Sequence, residues 1–311
     1  MTVSVFIDGG AGTTGIEIAQ RLAMRDGISL IVLDDSQRKD VALRRNALCS
    51  ADFAILCLPD DAAREAVSLA AGSDVRIIDA SSAHRTAPSW TFGFPEMVMG
   101  QREAIAKASR VSNPGCYSTA FIALIAPLVA RGLLPADGHY SCNAVSGYSG
   151  GGKAMIERFE AEGSDIAWCG YALGLSHKHV PEMQAQCGLS HAPLFSPAVV
   201  PAYRGMAVEV PLMRARDARI APVDDLRAAL VAHYADSIGI SVGGLAHNGE
   251  LLLHKQSEPS DRMTLDLFTS ADGQHIRLVA ALDNLGKGAG GACVQNLNIM
   301  AGLPETSGLR L

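Results

Sequence analysis

Short apolar runs alternate with amphipathic stretches through the first hundred residues. Val3 to Ile7 predicts a buried strand. A glycine cluster follows, then a helical stretch over Ile16 to Ala23. Leu30 to Leu33 predicts a second strand, ending in Asp34 and Asp35, and Ala54 to Leu58 a third, stopped by Pro59. Asp60 to Ala71 has helical spacing, Val75 to Ile78 reads as a strand closed by Asp79, residues 103–109 suit a helix, and Arg110 to Ser112 a strand end. Strands alternating with helices indicate βαβ units around a parallel sheet.

The texture changes after Cys116. Ala120 to Leu134 predicts a buried helix that breaks or kinks at Pro127. Tyr140 to Val145, segments within 194–215, Leu251 to His254, Met263 to Phe268 and His275 to Ala281 read as strands, with helices over 153–162 and 223–236. The apolar segment Ala292 to Leu303 predicts a last helix that returns to the first domain. The expected fold class is α/β: a Rossmann-type parallel-sheet domain with a second α+β domain carrying a mixed or mostly antiparallel sheet. The expected partition is 1–115 plus 286–311 against 116–285.

Composition narrows the classes. A chain of 311 residues suggests about two domains. With 48% hydrophobic and 19% charged residues it can bury a sizeable core. A net charge of −6 gives no global attraction to nucleic acid or an anionic membrane. No apolar run reaches the roughly 18 residues of a membrane span, and the N-terminus lacks the basic start of a signal peptide. The seven cysteines are odd in number, widely spread and without a CxxC pair, so a disulfide framework and a four-cysteine zinc site are disfavoured and a reducing cytoplasm is expected.

The 31 glycines are in excess. The first cluster, Gly9-Gly-Ala-Gly12-Thr13-Thr14-Gly15, sits between a strand and a helix. Such a turn can aim backbone N–H groups at a pyrophosphate, with Gly15 allowing close helix–strand packing and the threonines capping the helix or bonding a phosphate oxygen. Asp34 would favour the ribose hydroxyl of NAD, whereas Ser36, Arg38 and Lys39 would favour the 2′-phosphate of NADP.

Ser112-Asn113-Pro-Gly-Cys116-Tyr117 turns the chain and opens a helix at Cys116, and a helix N-terminus stabilises a thiolate. Ser176-His177-Lys-His179-Val-Pro-Glu182 supplies two histidines that share a side if the segment is extended. One of them would serve as acid/base with Glu182 orienting it; metal ligation is the weaker reading, since no further ligand stands at metal spacing. Arg85, after Asp79-Ala-Ser-Ser-Ala-His84, suits an anionic group, and Asn113, Lys153 and Arg204 are candidate substrate contacts.

Phe6 to Gly15, Asp79 to Arg85, Ser112 to Tyr117, His177 to Glu182 and Gly286-Lys-Gly-Ala-Gly-Gly-Ala-Cys-Val-Gln-Asn-Leu-Asn298 together resemble the N-acetyl-gamma-glutamyl-phosphate reductase family, its shorter type 2 form in particular, over nearly the whole chain. Aspartate-semialdehyde dehydrogenase shares the general plan. The resemblance implies NADPH-dependent reduction of N-acetyl-L-glutamyl 5-phosphate to the 5-semialdehyde with release of phosphate, in arginine biosynthesis. It implies Cys116 as nucleophile through a thioester, His179 as acid/base, His177 supporting and Glu182 orienting. Arg85 and Asn113 would contact phosphate, the cofactor would be NADP, and the assembly a homodimer or homotetramer. A phosphorylating dehydrogenase of another small semialdehyde, such as aspartate semialdehyde, and a non-catalytic NADP-binding regulator are the alternatives.

Overall fold

The computed structural model describes residues 2–34, 36–243 and 250–311. Asp35 and His247 lie outside the described residues. Contacts divide the chain into two compact units: residues 1–95, 99–115 and 289–309, and residues 96–98, 116–288 and 310–311.

The first unit follows β1 (Val3–Asp8), α1 (Thr13–Ala23), β2 (Ile28–Ile31), α2 (Val41–Ser50), β3 (Phe53–Leu56), α3 (Asp60–Leu69), β4 (Arg76–Asp79), β5 (Thr91–Phe92), α4 (Gln101–Lys107) and β6 (Arg110–Ser112). Its six strands pair in the order β2-β1-β3-β4-β6-β5, all parallel. Successive strand residues face opposite sides, so each strand feeds two cores. Val5, Phe53, Ile55 and Ile78 pack with Ile18, Leu22 and Ile105 from α1 and α4. Phe6, Ala54, Leu56 and Ile77 pack on the other side with Leu48 of α2 and Ala63 and Ala66 of α3. The sequence reading missed α2 and β5. Yet α2 is announced by Asp40, whose carboxylate accepts from the Ala42 and Leu43 amides and caps the helix.

The second unit runs through α5 (Cys116–Ala130), β7 (Ser141–Gly147), a 3-10 turn (Tyr148–Gly151), α6 (Lys153–Glu160), β8 (Cys169–Gly170), α7 (Val180–Gln186), β9 (Leu194–Val200), β10 (Met206–Met213), α8 (Val223–His233), β11 (Ile240–Val242), β12 (Met263–Thr269) and β13 (His275–Leu282). Its sheet has the order β11-β12-β13-β10-β7-β9-β8. The β11–β12 and β7–β9 pairs are parallel and the other four antiparallel. α5 is apolar on nearly every side and packs on β10 and β13, with α7 and α8 against it. A helix without a polar face belongs in a core. It begins at Cys116, as the Ser112–Tyr117 motif predicts, and it continues past Pro127 to Ala130. Close packing outweighs the lost backbone hydrogen bond there.

Two other expectations change. Leu251 to His254 is irregular, not a strand: Leu251 and Leu252 are exposed, and Leu253 alone packs inward, against Gly205. The short strand β11 was not foreseen. After β13, a π-helical turn over Gly286–Gly290 leads into α9 (Gly291–Ala301). This helix returns to the first unit, where Cys293, Val294, Leu297 and Met300 complete the core beside α1 and α4. Among the described residues no helix is long and apolar enough to cross a membrane.

Candidate active site

In the first unit the chain leaves β1 at Asp8 and turns at once. Gly9 has a φ of 86°, and a Cβ there would lie 2.3 Å from the Cys57 carbonyl oxygen. A Cβ on Gly15 would lie 2.6 Å from the Gly9 carbonyl oxygen. Both positions exclude any side chain. Gly12 is under no such pressure, its nearest neighbour being 3.6 Å away. It is the N-cap of α1 and supplies no side-chain cap. Thr13 and Thr14 therefore do not cap the helix, as the sequence had allowed. They occupy its first turn, where amides lack intrahelical acceptors.

β1 is flanked by β2 on one side and β3 on the other, so the strand order reverses beside it. That is where open parallel sheets bind ligands. A cavity of about 580 Å³ lies there, lined by Gly9, Gly10, Ala11, Leu33, Arg38 and Lys39 among others. Its size suits part of a dinucleotide. Asp34 does not line it. The Asp34 carboxylate accepts from the Ser36 amide and hydroxyl, at 2.9 and 2.6 Å, and from the Gln37 amide at 2.9 Å. The Ser36 hydroxyl foremost, with these amides, holds its pKa below the usual value. Asp34 and Ser36 thus close their own turn and leave Arg38 and Lys39 facing the cavity.

At the end of β4, buried Asp79 accepts from the Ser81 hydroxyl at 2.7 Å and lies 2.6 Å from His84 Nδ1. The His84 ring stacks on Trp90. Arg85 is buried and donates to the carbonyls of Asn113 and Ala80. Asn113 donates to the Ala289 carbonyl and accepts from Asn296. Arg85 and Asn113 are thus joined within one hydrogen-bonded network, part of it supplied by α9.

In the second unit Cys116 is the first residue of α5 and is partly exposed. Tyr117 packs edge-on against His177 and, tilted, against His179, with centroids 6.3 and 5.8 Å away. The two imidazoles meet at 4.6 Å. His177 and His179 do not share a face of an extended segment. His179 is the N-cap of α7, in helical conformation, and its amide donates to His177 Nδ1 at 3.1 Å. That bond keeps Nδ1 of His177 an unprotonated acceptor. His179 Nε2 lies 3.9 Å from Glu182 Oε1, one helical turn on, with both side chains buried. Burial, then Tyr171 and Cys116, push the Tyr117 phenol well above its usual pKa. Tyr171, bonded to Tyr117, is raised as well, chiefly by burial.

The turn before α9 closes this site from another side. A Cβ on Gly288 would lie 2.8 Å from Cys116 Cβ, and one on Gly286 would overlap the Ser260 carbonyl. Lys287 between them is buried and contacts both carboxylate oxygens of Glu96, at 2.8 and 2.9 Å. Asp283 binds Arg204 at 2.8 Å and the Ser260 and Leu285 amides. Arg204 is thereby committed to the fold. Lys153 stands apart: its side chain is exposed, with its amine 3.7 Å from Glu157. Tyr171, Glu96 and Asp283 carried no sequence signal; Lys287 and Gly288 lay inside a visible glycine run.

Comparison with known proteins agrees with this division. Residues 4–108 match the family described as semialdehyde dehydrogenase, NAD binding domain, and residues 116–284 match its dimerisation domain. N-acetyl-gamma-glutamyl-phosphate reductase of Allorhizobium ampelinum is 49% identical, over 96% of this chain and 99% of that protein. The chain belongs to the N-acetyl-gamma-glutamyl-phosphate reductase family. N-acetyl-gamma-glutamyl-phosphate reductase 2 of Nostoc sp. is 46% identical over 98% of each chain. The family's fold extends further: the structure of a probable aspartate-semialdehyde dehydrogenase from Pseudomonas aeruginosa superposes with a TM-score of 0.73 at 17% identity, over 97% of this chain and 99% of that one. This family member is an oxidoreductase with a nicotinamide-nucleotide-binding domain of Rossmann type.

Proposed function

We propose that the chain reduces N-acetyl-L-glutamyl 5-phosphate to N-acetyl-L-glutamate 5-semialdehyde with NADPH, releasing phosphate, as a step of arginine biosynthesis. The observation that carries the reading is Cys116 at the start of a 15-residue helix, beside a Tyr117-packed His179–Glu182 pair. A hydrolase built on that cysteine would have no use for the glycine turn and its cavity.

The helix N-terminus favours the Cys116 thiolate. The thiolate attacks the acyl-phosphate carbon, the C–S bond forms, and the C–O bond to phosphate breaks with its electron pair leaving on phosphate. One difficult displacement becomes two easier steps. Bound NADPH supplies the hydride that reduces the thioester. His179, steadied by Glu182 and by the Tyr117 ring, holds a proton for the oxyanion at the reacting carbon and assists thiolate release. His177 supports it by accepting the His179 amide. The Cys116 backbone N–H is a donor for the same oxyanion. Arg85 and Asn113 present charge and an amide to the phosphate.

The residues of the first unit fit the cofactor. The turn at Gly9 has no room for a side chain, the first amides of α1 have no side-chain cap, and Arg38 and Lys39 line the cavity. Two cations there, with Asp34 turned to its own loop, support NADP over NAD. The dimerisation-domain match supports a homodimer, or a tetramer built from it. Seven free thiols suit a reducing cytoplasm.

The reverse reaction tests the proposal: N-acetylglutamate semialdehyde, phosphate and NADP⁺, following the absorbance of reduced nicotinamide. No turnover in a folded, reduced sample overturns it, and faster turnover of aspartate semialdehyde would reassign the substrate. Cys116→Ala abolishes turnover and leaves NADP⁺ binding intact.

A further inference from the structure

The cavity beside β1 in the first unit holds charges that the cofactor's phosphates do not explain. Besides Arg38 and Lys39 it is lined by Asp8, Arg44 and Glu65. These three form one ion-paired row. Arg44 donates through Nε and one terminal nitrogen to Asp8 Oδ2, at 3.2 and 2.9 Å, and through the other to Glu65 Oε2, at 3.0 Å. Asp8 and Arg44 are buried, whereas the Glu65 side chain is half exposed. Two carboxylates against one guanidinium leave one negative charge uncompensated. It falls on Glu65, whose Oε1 has no partner among the described residues.

The helices set this geometry. Val41 and Arg44 lie one turn apart on α2, and Ala62 and Glu65 one turn apart on α3, so each pair shares a helix face. The Arg44–Glu65 bond joins the two faces. Val41, Ala62, Leu33 and Leu58 make the neighbouring wall apolar. An apolar wall beside one fixed carboxylate repels a phosphate and accepts a flat, neutral group that carries N–H donors. The start of α3 adds to the repulsion, since Asp60 and Asp61 occupy its first turn. In the nucleotide half of the cofactor, the pyrophosphate belongs at the Gly9 turn and the 2′-phosphate beside Arg38 and Lys39. The neutral group left for Glu65 is the adenine ring, whose 6-amino group offers two N–H donors. A ribose hydroxyl donates too but brings no flat apolar body to the wall.

We infer that Glu65 reads the base: its Oε1 accepts from the adenine 6-amino group, while Arg44, held by Asp8, fixes the carboxylate in place. Glu65 is thus a specificity-determining residue of the nucleotide site and Arg44 its positioning residue. A base with a carbonyl at position 6 sets oxygen against oxygen there and is rejected. The inference rests on the reading of this cavity as a nicotinamide-dinucleotide site.

The test is calorimetric binding to the full chain, without substrate or turnover, of NADP⁺ and of its hypoxanthine analogue, in which a carbonyl replaces the 6-amino group. The same comparison is run in Glu65→Gln. Glutamine keeps an acceptor oxygen for Arg44 and turns an N–H₂ group to the base, which suits a carbonyl and not an amine. The urea midpoint checks that the fold is spared. Wild type is expected to bind NADP⁺ at least about tenfold more tightly than the analogue, the worth of one charged hydrogen bond, and the variant to show no preference or the reverse one. Equal binding of the two nucleotides by the wild type overturns the inference. So does a variant that keeps the wild-type ratio, even if it binds both more weakly, since Glu65 then only supports the fold. A chain that binds NAD⁺ in place of NADP⁺ refutes the 2′-phosphate assignment alone, because NAD⁺ and its hypoxanthine analogue then put the same question to Glu65. A chain that binds none of the four nucleotides overturns both readings.

Discussion

Gly288→Ala isolates the contact between the turn before α9 and the nucleophile. Gly288 lies outside the left-handed region, so alanine meets no backbone penalty and only the added methyl acts. That methyl would stand 2.8 Å from Cys116 Cβ, 3.3 Å from its Cα and 3.2 Å from the Asp283 carbonyl oxygen. Ordinary carbon contacts are about 3.5–4.0 Å, so roughly 1 Å must be found. The turn has little slack. Gly286 already abuts the Ser260 carbonyl, Lys287 is fastened to Glu96, and the Gly288 amide donates to the Asp283 carbonyl. The start of α5 must then give, at an overpacking cost of about 1–3 kcal/mol. A nucleophile moved by about 1 Å loses on the order of 100-fold in rate, or about 2.7 kcal/mol of barrier. The expected variant is folded, binds NADP⁺ as wild type does, and shows kcat reduced about 10- to 100-fold with altered iodoacetamide labelling of Cys116. A folded variant with kcat within about twofold of wild type, and unchanged labelling, would refute the reasoning.

Lys287→Met leaves the Glu96 carboxylate buried without its cation, and should cost about 3–5 kcal/mol in urea unfolding. Arg38→Glu should raise the KM for NADP⁺ about 10- to 100-fold, the worth of one charged hydrogen bond, while NAD⁺ is affected little. Equal losses for both nucleotides would remove Arg38 from the 2′-phosphate site. Burial raises the thiol pKa of Cys142, Cys187 and Cys293 above the ordinary 9.0. The folded thiols stay neutral where the unfolded chain ionises. Their stabilisation is complete below about pH 9 and is lost as pH rises beyond it toward the folded values. The urea midpoint should fall between about pH 8 and pH 10, and less so in Cys142→Ala.

Periodicity revealed the parallel sheet because buried strands leave no polar alternation to confuse them with surface helices. Phe53–Leu56 is buried at every position. It did not reveal α2, which buries only Arg44, Ala47 and Leu48 and whose best signal is the Asp40 cap. It misjudged Leu251 to His254 for the complementary reason: three adjacent leucines look like a strand whether or not a sheet edge exists to pair them. The histidine motif was visible as composition, but its geometry was not. Pro181 and Glu182 belong to the first turn of α7, which pulls His179 out of an extended segment and into the cap.

The glycine excess shows where sequence stops and structure begins. Spacing treated Gly9, Gly12 and Gly15 alike, yet only Gly9 and Gly15 press on backbone atoms. The run from Gly286 reads as a loop whose backbone approaches a ligand or a partner helix. Instead Gly286 and Gly288 are wedged between Ser260 and Cys116, residues 26 and 172 positions earlier in the chain. A glycine required by a local turn leaves a mark in its neighbours, because the turn residues share the constraint. A glycine required by a distant backbone leaves none, because its constraint comes from the tertiary fold. The nucleophile's surroundings are of the second kind. Cys116 could therefore be found from its own motif, while the turn that confines it could be found only after folding.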